Sequence, residues 1–283
     1  MTNRALQTRN TIRNAVIYTV LILWCAFSIF SLLWIIITSI KSNRELYAGV
    51  WTIPQKIHIE NYVKAWNVVN LKSYFLNSIL ITFSSIIVLT FICTPAAYVL
   101  SRFKFRFSKA LNTLFIAGMG IPYQLLLIPL YKIMVGIKLT DSLFGLGLVY
   151  VSLSIPFTTY LLSGFLRSLP SELEDSAMVD GCGEISTFWR IIFPLSQPSI
   201  ITAAILNFIF LWNEYMLDLI FITRETKRTI SLGLYSIQSA MMFTADWVGL
   251  FAAVVIVMLP TVLIYILLSE KVMKGITLGA VKG

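Results

Sequence analysis

The sequence predicts an all-α membrane protein of about six transmembrane helices, with a short helical hairpin between the fourth and fifth. Of its 283 residues 58% are hydrophobic and 12% charged, against roughly 25% charged in a soluble domain, so water is not the main solvent of its surface. Six stretches, at about 15–39, 74–101, 111–135, 143–166, 199–222 and 247–269, are long and apolar enough to span a bilayer. Spanning takes about 20 such residues as a helix, because every backbone polar group must be paired within the segment. The Lys and Arg residues cluster between these stretches, as membrane-flanking charges do. The expected organisation is one membrane domain over 1–283, with a connecting loop at 167–198 and a tail at 270–283.

The first stretch follows Arg4, Arg9 and Arg13. It is too long for the apolar core of a signal peptide and lacks a small-residue cleavage pattern before Lys41, so a retained span is expected. The second runs into a basic loop holding Arg102, Lys104, Arg106 and Lys109, which belongs in the cytoplasm. An even number of spans then puts both termini inside, although Lys41, Arg44, Lys56, Lys64 and Lys72 fall in the first outer loop. The third contains Gly118, Gly120, Pro122 and Pro129, so a broken or kinked helix is expected. Such a break either lines a cavity or packs as a tolerated kink. Thr140, Asp141 and Ser142 offer an N-cap to the fourth span.

Several function classes are excluded. The net charge of +9 forms no basic stripe with exposed aromatics, so nucleic acid is not an expected partner. Cys25 and Cys93 sit in apolar stretches and Cys182 in a loop, without disulfide or metal-ligand spacing. No phosphate-binding GxxxxGK[ST] loop is present, and no nucleophile, base and orienting group cluster. His58, the only histidine, falls in an outer loop. No catalytic residue, metal or bound cofactor is expected.

The fifth span carries Asn207, Asn213, Glu214 and Asp218. Glu214 would lie roughly 22 Å from the inner end at 1.5 Å per residue. The spacing of Asn207, Glu214 and Asp218 places them on one face of a continuous helix. A carboxylate at membrane depth faces a protein interior or a wet cavity, so this face either borders a translocation path or makes structural hydrogen bonds near the outer interface. An ion-coupled secondary transporter using Glu214 or Asp218 is an alternative, though no internal repeat with paired broken helices is visible. Trp24, Trp34, Trp66, Trp212 and Trp247 read either as interfacial anchors or as stacking surfaces.

The 167–184 segment holds five of the 13 acidic residues, Glu172, Glu174, Asp175, Asp180 and Glu184. Ser171 and Glu174 have capping-box spacing, so a short helix should begin after Ser171 and end at the Asp180-Gly181 turn. A second short helix at about 184–193 should stop at Pro194, and Pro198 should open the fifth span. On composition alone this is a solvated acidic hairpin joining two spans.

Its spacing is more specific. Read from Asp175, the segment resembles the loop E-A-A-x-x-D-G-A-x5-F-x5-P-L-x-x-P of binding-protein-dependent ABC importer permeases. Ala177, Asp180, Gly181, Phe188, Pro194, Leu195 and Pro198 match in register, while Asp175, Ser176 and Cys182 replace Glu, Ala and Ala. The stretch from Ile121-Pro122 to Tyr131, the Trp212-Asn213-Glu214-Tyr215 stretch and the C-terminal Gly279–Gly283 are similar to the carbohydrate branch, and to its smaller permease subunit in maltose-type and multiple-sugar systems. The resemblance implies that Asp175, Ser176, Ala177, Asp180, Gly181, Phe188, Pro194 and Pro198 form a coupling helix docked on a separate ATPase. It implies too that Ala280, Val281, Lys282 and Gly283 reach that ATPase dimer, which would hold ATP and Mg. A larger permease, an extracellular sugar-binding protein and the lipid bilayer of a prokaryotic cell membrane are the other implied partners. Asn207, Asn213, Glu214 and Asp218 would then flank the route, unless the larger permease alone supplies it.

Overall fold

A computed structural model describes the backbone of residues 3–68 and 70–280, and the side chains of these apart from 3–10, 68, 240, 242, 243 and 270–280. Among the described residues every regular element is helical. The helices Thr11–Ser39, Leu71–Arg102, Leu143–Ser168 and Trp247–Ser269 are long and apolar enough to cross a membrane, and two bent pairs bring the number to as many as six. The four long helices and the bent pair Ser108–Gly120 with Tyr123–Gly136 overlap five of the expected stretches, whereas the other bent pair, Glu184–Leu195 with Gln197–Asn213, overlaps only the first part of the stretch expected at 199–222. Of the expected tail, the helix reaches Ala280, whose side chain lies outside the described residues, as do Val281, Lys282 and Gly283 entirely.

The chain divides into two compact units, Met1–Val69 with Ile237–Ile256, and Asn70–Ser236 with Val257–Gly283. In the first unit the apolar Thr11–Ser39 helix has none of its most hydrophobic window buried, which suits a lipid-facing element. Its end is closed by groups from the following loop. The Asn61 amide donates to the Ser39 and Lys41 carbonyls at 2.9 and 2.8 Å, and the His58 N–H to the Ile40 carbonyl at 2.9 Å. These bonds satisfy carbonyls that a helix end otherwise leaves unpaired. Ser42 and Glu45 form a complete capping box on the short Asn43–Ala48 helix. His58 pairs with Glu60 at 2.5 Å.

In the second unit Leu71–Arg102 packs along Leu143–Ser168 and Gln197–Asn213. Two apolar clusters form there. One gathers Leu89, Cys93, Ala97, Leu162, Leu166, Phe188 and Ile192, and the other Ile81, Met134, Leu146, Val149, Tyr150, Leu211 and Phe221. The same helices bury Thr82, Ser85, Ser154, Thr158, Thr159 and Asn207, small polar groups of the kind that let membrane helices approach closely.

The third span is broken, as its Gly and Pro content predicts. Ser108–Gly120 meets Tyr123–Gly136 at 96°. The break falls at Ile121-Pro122, where Pro122 supplies no N–H and holds Ile121 extended at φ −86°, ψ 117°. Pro129 lies in the first turn of the Leu127–Gly136 helix, where proline is tolerated.

The fifth span departs from expectation. Its helix is Gln197–Asn213, Glu214 is extended at φ −72°, ψ 125°, and Met216–Phe221 is a separate short helix. The single face joining Asn207, Glu214 and Asp218 therefore does not exist. Glu214 instead accepts the Leu217 N–H at 3.0 Å, closing the start of the second piece. Trp212, expected as an anchor or stacking surface, is 1% exposed and donates from Nε1 to the Val257 carbonyl at 3.0 Å.

Candidate coupling surface

The hairpin begins with the helix Glu172–Val179. Its expected capping box is not formed, since Ser171 makes no side-chain cap bond. The Glu174 carboxylate accepts from Arg102 Nε at 2.9 Å instead, with both side chains largely buried. Arg102 also donates from Nη2 to the Leu169 carbonyl at 2.7 Å. One guanidinium at the end of Leu71–Arg102 thereby grips both the entry to the hairpin and its first helix.

The end of that helix explains Gly181. The Cys182 N–H donates to the Ala177 carbonyl at 2.9 Å and the Gly181 N–H to the Met178 carbonyl at 3.0 Å, the pair of bonds that defines a Schellman cap. This cap needs a left-handed residue, and Gly181 has φ +79°. Any other residue type would cost about 1–2 kcal/mol there. A Cβ at Gly181 would meet nothing within 4 Å, so the chain itself leaves that space open.

The second half runs Glu184–Thr187, then a wide turn Phe188–Ile192 in which the Phe193 N–H reaches back to the Phe188 carbonyl, then Phe193–Leu195. Pro194 was expected to stop this helix and does not. The wider turn accommodates the proline ring, and the direction changes at Ser196, where Glu184–Leu195 and Gln197–Asn213 meet at 68°. Ser196 is fully buried, with its hydroxyl donating to the Ile192 carbonyl at 2.7 Å. Pro194 and Pro198 flank this bend, and both are exposed.

The hairpin has two faces. Ala177 and Phe188 are buried at 2% and 5% exposure. The Phe188 ring lies 5.1 Å from Tyr98, 4.9 Å from Trp189 and 6.1 Å from Phe193, which seats the hairpin on the second span. Beside it opens a cleft of about 530 Å³ lined by residues including Pro95, Tyr98, Phe103, Glu184 and Trp189. The other face presents Asp175, Ser176, Asp180 and Gly181 to solvent, together with Met178, Val179 and Ile185 at 59%, 87% and 78% exposure. Large apolar groups so exposed, ringed by acidic residues, make this face a candidate protein-binding surface. Tyr98, Val179 and Ile185 were not singled out from sequence, and Arg102 was read only as one base of a basic loop. Only the alternation of apolar and acidic residues along 172–185 could have signalled the exposed face.

The candidate pathway residues are dispersed. Asn207 is buried and donates to Thr158 Oγ1 and the Ala203 carbonyl, each at 2.9 Å. Asn213 is exposed and donates to the Ile209 carbonyl at 2.7 Å. Glu214, 7% exposed, accepts from the Tyr123 hydroxyl at 3.0 Å. Asp218, fully buried, accepts from the N–H and hydroxyl of Thr229 at 2.7 and 2.6 Å.

Long apolar helices, two bent pairs and a two-faced hairpin between them are the architecture of a membrane permease subunit, and the family match gives the class. The chain belongs to the binding-protein-dependent transport system inner membrane component family, whose pattern it matches over residues 93–276. It is 31% identical over 265 residues to the diacetylchitobiose uptake system permease protein NgcG of Streptomyces coelicolor, covering 94% of this chain and 88% of that protein. It is 31% identical to the melibiose/raffinose/stachyose import permease protein MelC of Bacillus subtilis, covering 87% and 88%. Its fold is similar to a chain in the crystal structure of a bacterial ABC transporter involved in the import of the acidic polysaccharide alginate, with TM-score 0.81, 19% identity and coverage of 93% and 97%. None of these comparisons supports the ion-coupled alternative, and both of its candidate carboxylates are held by protein hydrogen bonds.

Proposed function

We propose that this chain is the smaller of two permease subunits in an ATP-driven importer of a sugar or oligosaccharide. The whole chain acts as one transmembrane domain in a prokaryotic cell membrane, with both termini in the cytoplasm. ATP and Mg belong to a dimeric ATPase on separate chains, and an extracellular sugar-binding protein delivers the substrate. The names of the similar permeases support a carbohydrate substrate.

The observation that carries the coupling role is the two-faced hairpin. Its exposed tip, Asp175 to Gly181 with Ile185, is suited to a cleft on the ATPase, and Ala177 and Phe188 turn inward. The Arg102 grip and the Phe188 aromatic cluster join the tip to the second span, so ATPase closure is passed on as movement of helices rather than absorbed by a loop. Pro194 and Pro198 shape the turn that leads from the hairpin into the fifth span. Contact with the same ATPase is also assigned to the tail residues Ala280 to Gly283, on the resemblance of their sequence alone.

Gly181→Trp tests this reading. The space around Gly181 is empty within the chain, so the variant should still insert in the membrane, at the cost of about 1–2 kcal/mol of local strain. ATP-dependent sugar uptake should be abolished because the indole occupies the docking face. Normal uptake by that variant would sink the coupling role.

A further inference from the structure

The cleft beside the hairpin, at about 530 Å³, is within the roughly 300–1,000 Å³ of ligand sites. One wall is formed by Pro95, Val99 and Phe103 at the end of the second span, the other by Ile185, Phe188 and Trp189 of the hairpin. Whatever enters it therefore touches both sides of the joint through which the hairpin is seated.

The apolar wall continues past the cleft into the span. Phe91 and Ile92 are 56% and 47% exposed, and the Phe91 ring lies 6.2 Å from Trp189 and 6.4 Å from Phe193. The second span and the hairpin thus share one aromatic surface. From Phe91 to Phe103 it runs roughly 18 Å at 1.5 Å per residue, about the depth of one leaflet in a hydrocarbon core roughly 30 Å thick. A side chain of a soluble partner would have to reach Pro95, roughly 10 Å inside the end of the span. An acyl chain reaches it by lying along the helix.

The surroundings of the mouth are basic. Lys104 and Arg106 follow Phe103, Arg190 follows Trp189, and Lys109 and Arg167 stand at the neighbouring helix ends. All are exposed, and none pairs with a carboxylate among the described residues. Bases set just beyond the end of a membrane helix attract anionic headgroups, each raising the affinity about fivefold. Phe105 and Phe107 alternate with these bases and are themselves exposed, a pattern suited to the plane between headgroups and chains. Glu184 is the one charged group in the lining among the described residues. Its carboxylate repels a phosphate from the cleft itself, which keeps a headgroup outside at the bases and admits only the chain.

We propose that the cleft takes the acyl chain of an anionic phospholipid from the leaflet on the hairpin side, with the phosphate held among Lys104, Arg106 and Arg190. The lipid completes the joint between the second span and the hairpin, so the bilayer's anionic lipid content tunes how tightly the hairpin is coupled. The site itself stands on the cleft and its charges; its effect on coupling rests on the importer reading.

The test uses the complete transporter, with its ATPase and binding protein, in phosphatidylcholine vesicles carrying either phosphatidylglycerol or phosphatidylcholine with a photoactivatable acyl chain. Cross-links should concentrate on 95–103 and 185–189 and should favour phosphatidylglycerol. Lys104→Gln and Arg190→Gln should each cut that preference about fivefold. Val99→Trp, which fills the cleft, should remove the cross-links of both probes, and Val99→Leu should keep them. Cross-links spread evenly over the spans, equal labelling by the two probes, or unchanged labelling in Val99→Trp overturns the site. Labelling that develops only once the ATPase is stripped away means that the ATPase covers the cleft, and overturns it as well. Coupling is read separately, as sugar taken up per ATP hydrolysed. In wild type this ratio should fall about threefold when phosphatidylglycerol is left out, and in Val99→Trp it should lose its dependence on lipid. A wild-type ratio indifferent to lipid overturns the role in coupling. Uptake that persists with an inactive ATPase overturns the importer reading itself, whatever the cross-links show.

Discussion

Arg102 holds the hairpin by two charge-assisted hydrogen bonds, one to a carboxylate and one to a carbonyl, in surroundings that are mostly dry. Bonds of this kind contribute about 1.5–3 kcal/mol each. Arg102→Met should therefore loosen the hairpin without unfolding the spans, cutting uptake about tenfold and exposing the 167–184 segment to protease. Glu174→Gln keeps an acceptor for Nε and should show a smaller loss; equal and negligible effects of both variants would count against the grip. In the sequence Arg102 is one of four bases in a loop, and nothing local pairs it with a glutamate 72 positions away. Glu174 misled for the same reason, since its capping-box spacing from Ser171 is a local signal that a tertiary partner overrode. Gly181 was legible because helix termination is a local matter, settled by the left-handed residue the cap demands.

The broken elements show the same division between local and distant causes. Pro122 removes a donor and restricts Ile121, so the break in the third span could be read from composition. The break at Glu214 carries neither proline nor glycine. It depends on Tyr123 and on the Leu217 N–H holding the carboxylate, contacts that an apolar run does not announce. A second clamp joins the 139–142 loop to the 223–228 segment. Asp141, with φ 51°, accepts the Thr223 and Arg224 N–H groups at 3.1 and 3.0 Å and pairs with the Arg224 guanidinium, with Lys227 at 3.9 Å. Ser142 caps the fourth span as expected, but Asp141 serves this clamp instead. The Arg224 N–H, more than any other group, holds the Asp141 carboxyl down from 3.8 to about 2. A folded pKa below the ordinary one means the stabilisation is complete above the ordinary value and lost as pH falls through about 2. Asp141→Asn should lower the unfolding temperature of the detergent-solubilised chain at pH 7. The difference from wild type should shrink steadily below pH 4, and a difference independent of pH would refute the charge argument.

At the scale of the molecule, hydropathy located the four long helices and the bent third span because lipid imposes length and composition on each one separately, but it carried the fifth past the helix end at Asn213. It was silent on which polar groups inside the bundle meet, since Thr158 and Asn207 lie 49 residues apart. It also left orientation to the charge of the loops, and that proposal can be checked directly. With Cys25 and Cys182 replaced by serine, Val179→Cys should react with a membrane-impermeant maleimide only when the cytoplasmic side is accessible. Labelling from the outside would invert the topology and remove the ATPase from reach.

The separation of the hairpin into an inward and an outward face makes its address portable. Ala177, Phe188 and the Glu174 carboxylate are turned toward this chain's own helices, Phe188 among Tyr98, Leu162 and Leu166 and Glu174 on Arg102, whereas Asp175, Met178, Val179, Asp180 and Ile185 are exposed. Under the proposed coupling role the outward set is free to change, or to be transplanted, to suit a different motor while the inward set keeps its seat, so one permease scaffold would be re-plugged to new engines by exchanging a few side chains.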